Sequence, residues 1–192
     1  MNSKPIATPL KLFDCCLISD GGGALVVMSE QRYAKSKKPP VHIRGFGTAH
    51  AQEHLLALKD LTNTASQRSS EKAFHMAGLT PADIDVAEIY DCFTITVLIL
   101  LENLGFCPKG EAGDFVEGGA IQVDGRLPIN THGGLLSHGQ PGAIGGFFHV
   151  IEGVRQLRQE ASPEVQVKNP EHVLVHNMGG VMSAHGTIIL GR

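Results

Sequence analysis

The chain has 192 residues, of which 42% are hydrophobic and 18% charged, a composition typical of a globular protein with one good core and room for a small appendage. Its formal net charge of -3, with no basic block longer than residues 35–38, excludes the electrostatic footprint of a protein that binds nucleic acid or an anionic membrane. The longest strongly apolar run, residues 95–101, is far shorter than the roughly 20 residues that span a bilayer.

The cysteines and glycines limit the choice further. The four cysteines form neither a CxxC pair nor a disulfide-dense pattern, and the opening MNSKPIATPLKLF lacks the charged-then-apolar order of a secretory signal, so we expect a reducing, cytoplasmic compartment. The 23 glycines cluster before apolar runs, which is typical of tight turns or of backbone that approaches a ligand closely. Turn formation alone accounts equally well for any single cluster.

The first part of the chain predicts strands separated by turns. A glycine-rich turn at SDGGG leads into an apolar strand over Ala24–Met28, and the double proline Pro39–Pro40 marks a domain boundary. Residues 41–50, VHIRGFGTAH, alternate like one strand. The spacing of apolar residues in KAFHMAG then predicts a helix that ends at Gly78.

The segment VAEIYDCFTITVLILLENLGF predicts a strand, a sharp turn and a buried core helix. The strand covers Val86–Tyr90, the turn lies at Asp91–Cys92, and the helix runs over Thr94–Leu104 with Gly105 as its cap. This arrangement places the turn residues at the carboxyl end of a strand, where functional side chains collect in α/β sheets.

The last part of the chain predicts two more element pairs. A short strand at LPIN, residues 127–130, precedes a glycine-rich loop over residues 130–146, which opens a helix over residues 143–160. An antiparallel hairpin over residues 172–192 completes the sheet. The predicted apolar face of the helix carries Phe147, Val150, Ile151, Val154 and Leu157.

The loop NTHGGLLSHGQPGAIGG is the first candidate site. It runs into a helix N-terminus, where unpaired N–H groups and the helix dipole favour an oxyanion or a phosphate, and His132, His138 and Gln140 could add donors. The alternative is a glycine-rich turn that packs helix against strand. We assign no metal site to the two histidines, because no cysteine or glutamate stands at ligand spacing.

Two further stretches carry candidate residues. Cys92 lies beside a predicted helix N-terminus, which lowers a thiol pKa and permits thiolate chemistry, although a small buried hydrophobe is the alternative. The Tyr90 hydroxyl needs a partner if it is buried, and a structural hydrogen bond would satisfy it. His176 and Asn177 precede a turn that could face the first loop, or could be structural.

These motifs together resemble the C-terminal half of the thiolase superfamily. YDCF, NTHGGLLSHGQP and HNMGG match three of its loops in order and spacing, and SDGGGALVVMSE is similar to the last strand of its N-terminal half. YDCF and the HN before the last glycines look like the branch of sterol-carrier-protein-type thiolases and lipid-transfer-like proteins. The resemblance implies a thiolase-like α/β fold, a mixed sheet with helices on both faces, with the remnant of a first domain over residues 1–39 and a second domain over 40–192.

The resemblance also implies residue roles. Cys92 matches the acid/base cysteine of that branch, Tyr90 stands where the family has its oxyanion-hole asparagine, and Gln140 replaces the histidine of glycine-histidine-proline. A glutamine can donate a hydrogen bond to an oxyanion but cannot activate a thiol nucleophile. The nucleophilic cysteine belongs to the N-terminal half of the family, and neither Cys15 nor Cys16 stands at its place.

The candidate site therefore has two sets of residues. The catalytic set is Cys92, Tyr90 and Gln140. The substrate-binding set is Asn130, His132, Gly133, Gly134, His138, His176, Asn177, Gly179 and Gly180.

Three functions remain open. The first is an acyltransferase module for 3-oxoacyl-CoA or acetyl-CoA-type thioesters, whose nucleophile comes from a missing segment or another chain. The second is a retro-aldolase subunit for steroid or branched acyl-CoA that works with an OB-fold protein, because Tyr90 matches a tyrosine of such enzymes. The third is a non-catalytic acyl-CoA or lipid-binding subunit. In each case we expect a coenzyme A thioester as ligand, no bound cofactor or metal, and a homo-oligomer or partner that covers exposed apolar surface.

Overall fold

The computed structural model describes residues 3–33 and 37–192 and has the predicted α/β architecture. Its strands are β1 (Pro5–Ala7), β2 (Leu10–Lys11), β3 (His42–His50), β4 (Val86–Ile89), β5 (His172–Gly179) and β6 (Ala184–Gly191). β1 and β2 form a small separate hairpin, and the other four build a mixed sheet in the order β3-β6-β5-β4. β4 runs parallel to β5, whereas the β3–β6 and β5–β6 pairs are antiparallel, which confirms the predicted C-terminal hairpin.

The α-helices are α1 (Glu30–Tyr33), α2 (Ser66–Ala77), α3 (Thr94–Asn103), α4 (Ala112–Val116), α5 (Gly134–Ser137) and α6 (Gly145–Arg158). Single 3-10 turns cover Leu12–Asp14, Leu55–Ala57, Pro81–Asp83, Glu117–Gly119 and Gly142–Ile144. The predicted end of α2 is confirmed, because Gly78 adopts the left-handed conformation at φ +68°. No helix in the described ranges is both long and apolar enough to cross a bilayer.

Helices cover both faces of the sheet because side chains alternate along each strand. Leu174 and Ile189 point to the face covered by α2 and α3, where Leu100 and Leu101 of α3 are fully buried. Val173, Val175 and Leu190 point to the opposite face and pack with Leu157 of α6. The sheet therefore has one apolar core on each side, and its β4–β5 region lies between them.

The sequence RGFG in β3 permits an unusually close helix–sheet contact. A Cβ atom at Gly45 would collide with the backbone of α2 at Ala73, and one at Gly47 would collide with the backbone at Ser69. The two glycines lie on the face of β3 that meets α2, so the helix rests directly on the strand backbone.

Two local predictions are wrong, and a third is confirmed only in part. Residues 24–28 form no strand, since no neighbouring strand pairs with them among the described residues, and Val26 and Val27 are 81% and 79% exposed. They line a cleft of about 470 Å³ beside α6 and β3.

The predicted strand at LPIN contracts to one bridge between Ile129 and Ala87. The domain boundary after residue 39 stays a prediction, and residues 1, 2 and 34–36 of the first unit lie outside the described part.

The third prediction concerns the apolar face of α6. The predicted apolar face is buried in part, because Leu157 is buried and Val150 and Val154 pack against the core, whereas Phe147 is half-exposed. The helix also buries three polar side chains that the prediction did not include, those of His149, Glu152 and Gln156. These polar side chains can be buried because they have hydrogen-bond partners. Gln156, for example, donates to Thr131 Oγ1 and to the Val165 carbonyl. The hydrophobic pattern could not reveal a polar network on the inward face.

Candidate active site

The turn between β4 and α3 places Tyr90, Asp91 and Cys92 together, as predicted. The backbone N–H of Tyr90 continues the β4–β5 pairing by donating to the His176 carbonyl at 2.9 Å. α3 begins at Thr94, two residues after Cys92. The three side chains therefore leave the backbone at the carboxyl end of a buried parallel strand pair, the usual position of a site in this architecture.

Tyr90 and Gln140 meet across the site. The side-chain amide of Gln140 donates a 2.7 Å hydrogen bond to the Tyr90 hydroxyl oxygen. Because that oxygen already accepts a hydrogen bond, the phenolic proton is free to point at a third group. Burial raises the pKa of Tyr90 above its ordinary value, which keeps the hydroxyl protonated at neutral pH. The pair thus presents one O–H donor to a ligand.

The pKa of the Cys92 thiol differs from the prediction made from its place before a helix. Its sulfur lies 3.7 Å from Thr96 Oγ1 inside the first turn of α3. Burial raises the pKa of the Cys92 thiol, and this outweighs the opposing effect of the Thr96 hydrogen bond. The expectation of a lowered pKa is therefore wrong, and the group is a protonated thiol at neutral pH.

A segment near the start of the chain also enters the site. Cys16 N–H donates to the Cys92 carbonyl at 3.0 Å, and the Gln140 N–H donates to the Leu17 carbonyl at 2.9 Å, so this segment lies between the two site loops. Burial raises the pKa of the Cys16 thiol, and Cys16 in turn raises the pKa of Cys92 and of Tyr90. Cys16 therefore belongs with the candidate site residues, although it is not the family's nucleophile position.

Asp91 binds the backbone of the glycine-rich loop. Its carboxylate accepts hydrogen bonds from the backbone N–H groups of Leu135 at 2.7 Å and Leu136 at 3.3 Å. Gly134 makes this approach possible, because it has φ +60° and a Cβ atom there would collide with the Asp91 carboxylate. The anion that these loop amides bind is thus a side chain of the same protein.

Asn130 holds the start of the loop against β4. Its side-chain amide donates to the Ile89 carbonyl at 2.8 Å and accepts from the Ile89 N–H at 2.7 Å. Both polar ends of the side chain are therefore taken by backbone, which makes Asn130 a positioning residue for the loop next to Tyr90.

A buried polar cluster lies behind this loop. His132 Nδ1 is 3.0 Å from Glu88 Oε2, and the ring of His149 lies 5.4 Å from that of His132. One ligand atom from each of Glu88, His132 and His149 lies within 4.8 Å of the others. The reason for assigning no metal ligand, the lack of a nearby glutamate, is therefore overturned by the contact from β4.

Among the described residues, the remaining predicted side chains form no hydrogen bond with the side chains of Tyr90 and Gln140. His138 packs edge-on against His132 and Phe148, and burial lowers its pKa. His176 is fully buried between Thr187 and His185. Gly179 and Gly180 lie at the turn of the C-terminal hairpin and are exposed. Gly133 initiates α5 at φ +105°.

Asn177 links the C-terminal strand to α6. Its amide nitrogen donates to the Gly146 carbonyl at 3.1 Å, and its oxygen lies 3.0 Å from His149 Nδ1. The sequence pattern does not single out His149 or Glu88, and it predicts no role for the side chains of Asp91 and Cys16. The available signals were a carboxylate inside an otherwise apolar strand, VAEIYD, and a histidine next to the apolar face of a helix.

Comparison with known proteins finds similarity over most or all of the chain. The family model described as "Thiolase C-terminal domain-like" matches residues 47–192. An acetyl-CoA acetyltransferase of Methanothermobacter thermautotrophicus is 37% identical over 193 residues, which cover 100% of this chain and 50% of the relative. The 17-hydroxy-3-oxo-4-pregnene-20-carboxyl-CoA lyase of Mycobacterium tuberculosis is 42% identical over 201 residues, covering 99% and 49%.

A solved structure extends the likeness to three dimensions. The "Ltp2-ChsH2(DUF35) aldolase" superposes with a TM-score of 0.88 at 37% identity, over 99% of this chain and 49% of that chain. The chain spans about half the length of each of the two curated relatives. The matched model covers most of the chain, and the fold and motif order agree with it, so the protein belongs to the thiolase C-terminal domain-like family.

Proposed function

We propose that this chain forms one half of an active site that cleaves a β-hydroxyacyl-CoA by a retro-aldol reaction. The observation that carries the proposal is the 2.7 Å hydrogen bond from Gln140 to the Tyr90 hydroxyl. In thiolysis an imidazole must activate a thiol, yet Gln140, which stands in place of the family's histidine, cannot take a proton. Retro-aldol cleavage needs no thiol nucleophile.

The reaction balances as follows. A base takes the proton of the β-hydroxyl group, the bond between the α and β carbons breaks, and its electron pair forms the enolate of the thioester. A proton delivered to the α carbon completes two products, a ketone or aldehyde and a shortened acyl-CoA. The barrier falls where hydrogen-bond donors stabilise the developing charge on the enolate oxygen.

Tyr90 and Cys92 suit the two acidic roles. The free phenolic proton of Tyr90 donates to the thioester oxygen as negative charge develops there, and Gln140 fixes the ring in place. The Cys92 thiol supplies the proton to the α carbon. Because burial raises the pKa of both groups, neither is the base, which we assign to a segment or partner outside this chain.

The likeness to a lyase and an aldolase supports this choice. The relative with 42% identity is a lyase of a steroid-type acyl-CoA, and the solved aldolase carries a second, DUF35 component in its name. We therefore propose a steroid or branched acyl-CoA as substrate and a small OB-fold-type protein as partner. Exposed apolar side chains near the start of the chain, such as Phe13, Val26 and Val27, support a covering chain or a second copy.

A second candidate is the acyltransferase module. It is favoured by the two thiols near Tyr90, those of Cys92 and Cys16, which both raise the pKa of Tyr90, and by the 37% identity to an acetyl-CoA acetyltransferase. In that case the missing half supplies the nucleophilic cysteine, and the same Tyr90 hydroxyl binds a thioester oxygen.

One experiment separates the candidates. The assembled protein, with the chains that co-purify with it, is incubated either with a branched β-hydroxyacyl-CoA alone or with a 3-oxoacyl-CoA plus free coenzyme A, and products are identified by mass spectrometry. A carbonyl product from the first mixture supports the lyase. Products only from the second would establish the acyltransferase, and binding without products in either would leave a ligand-binding subunit.

A further inference from the structure

We infer that Glu88, His132 and His149 bind one divalent transition-metal ion, with zinc the best match, behind the glycine-rich loop. The inference is independent of the proposed function, because it rests on buried groups that the retro-aldol chemistry does not use. Glu88 comes from β4, His132 from the loop and His149 from α6, so the ion would join three separate elements.

The three ligand groups are buried and carry unused polar atoms. Glu88 and His149 are 0% exposed, and the side chain of His132 is 9% exposed. Glu88 Oε2, both ring nitrogens of His132 and His149 Nε2 have no aligned hydrogen-bond partner among the described residues. Glu88 Oε2 and His132 Nδ1 are within ion-pair distance at 3.0 Å, but they lack hydrogen-bond alignment. Buried polar atoms without partners are costly, and a metal ion would satisfy these.

The tautomer of His149 is fixed by its second nitrogen. Asn177 donates through its amide nitrogen to Gly146, so its oxygen faces His149 Nδ1, which must donate to it at 3.0 Å. The lone pair of a neutral His149 then lies on Nε2, which is 3.5 Å from Asp91 Oδ1 and has no aligned hydrogen-bond partner among the described residues. An imidazole held by an amide oxygen in this way, with its other nitrogen turned inward, is the common outer arrangement of a metal-bound histidine.

The local charge also favours a cation. Asp91 Oδ1 lies 3.5 Å from His149 Nε2, and Glu152 reaches the same region through Thr131. The hydrogen-bond and ion-pair partners of the three carboxylates, Glu88, Asp91 and Glu152, are backbone amides, Thr131, Gln156 and the two histidines. A divalent ion would compensate these buried negative charges, as buried carboxylates require.

The donor set selects the metal. Two imidazole nitrogens and one carboxylate oxygen are ligands typical of zinc, whereas calcium and magnesium take mainly oxygen atoms. In a tetrahedral site the ligand atoms lie about 3.4 Å apart. The present separations of at most 4.8 Å close to that value by small side-chain rotations, and water fills the fourth position.

The test is metal binding, with no activity required. The purified protein is stripped with a chelator and titrated with Zn²⁺, with Co²⁺ as a spectroscopic probe and with Mg²⁺. We expect one Zn²⁺ per chain, visible Co²⁺ absorption of a four-coordinate site, no Mg²⁺ binding, and a Tm increase of about 5–10 °C with Zn²⁺ at 100 times Kd. Absence of Zn²⁺ and Co²⁺ binding to the folded protein would overturn the inference.

Variants locate the site. Glu88→Gln and His132→Asn should each weaken Zn²⁺ binding by at least about 100-fold. His138 is the matched control, because its ring centroid lies 5.2 Å from that of His132 but it is not a proposed ligand. The His138→Asn variant should therefore bind Zn²⁺ normally. Circular dichroism checks that each variant is folded, and the Co²⁺ spectrum of the unchanged protein serves if one is not. If His138→Asn lost Zn²⁺ binding and Glu88→Gln kept it, the ion would lie elsewhere and the assignment would be wrong.

Discussion

Asp91 Oδ1 accepts a 2.7 Å hydrogen bond from the backbone N–H of Leu135, across 44 positions of sequence. This bond ties the turn that carries Tyr90 and Cys92 to the loop that carries Gln140. The two halves of the candidate site are therefore held in register by a buried carboxylate, and the loop amides that could have bound a ligand anion bind Asp91.

Replacing this carboxylate should loosen the loop. Asp91→Ala leaves the N–H groups of Leu135 and Leu136 without their acceptor, so we expect the free energy of unfolding to fall by about 3 kcal/mol in a urea titration. Asp124→Ala, at an exposed position, is the matched control and should leave the midpoint unchanged. Equal midpoints for the two variants would show that the contact does not stabilise the protein.

Gln140→Ala should reduce turnover without unfolding the protein. It removes the amide that fixes the Tyr90 hydroxyl at 2.7 Å, a hydrogen bond worth about 1 kcal/mol, so kcat should fall by about fivefold to tenfold in the assembled protein. Gln67→Ala on the exposed side of α2 should keep the rate of the unchanged protein. An unchanged rate and affinity in Gln140→Ala would separate this residue from the reaction.

Acid should destabilise the sheet through His176. Burial, followed by the fields of His185 and His149, lowers the pKa of His176 to about 3, so the folded protein excludes a proton that the unfolded chain binds below its pKa of about 6.5. The stabilising contribution is complete above pH 6.5 and is lost as pH falls toward 3. The slope is about 1.4 kcal/mol per pH unit for one proton.

Denaturant titrations between pH 4 and 7 measure that slope. His176→Gln, which cannot titrate, should give a flatter dependence than the unchanged protein, and His42→Gln on the exposed side of β3 should not. Parallel pH profiles for all three proteins would contradict the role of His176.

The close contact between β3 and α2 gives a packing prediction. Gly47→Ala places a methyl group against the backbone of α2 at Ser69, so the free energy of unfolding should decrease by about 1–3 kcal/mol. Gly186→Ala in the neighbouring β6 is the matched control, because its Cβ would meet no atom within 4 Å. Urea titrations of the two variants compare them, and equal midpoints would refute the close approach.

The sequence predicted the local elements well and the polar interior poorly. The helix that ends at Gly78, the β4–turn–α3 unit and the C-terminal hairpin carry periodic patterns and turn residues that act locally. Residues 24–28 have the composition of a strand, but a strand also needs a neighbour to pair with, and the sequence cannot indicate whether one is present.

In the candidate site, too, the residues in local motifs could be predicted and those joined by long-range contacts could not. Tyr90, Cys92 and Gln140 lie in motifs that the sequence shows directly. Glu88 and His149 stand apart from those motifs and become neighbours only through the register of β4 and the rotation of α6, so no sequence pattern could join them.

The most direct test of the central claim is the rate of β-hydroxyacyl-CoA cleavage by the assembled protein carrying Tyr90→Phe, measured without free coenzyme A. The ring and its packing stay in place, and the hydroxyl is removed together with its hydrogen bond from Gln140 and its donation to the enolate oxygen. We therefore expect kcat to fall about 10²- to 10³-fold while Gln67→Ala keeps the normal rate. Cleavage at the normal rate in Tyr90→Phe would contradict the role of this hydroxyl and the account built on it.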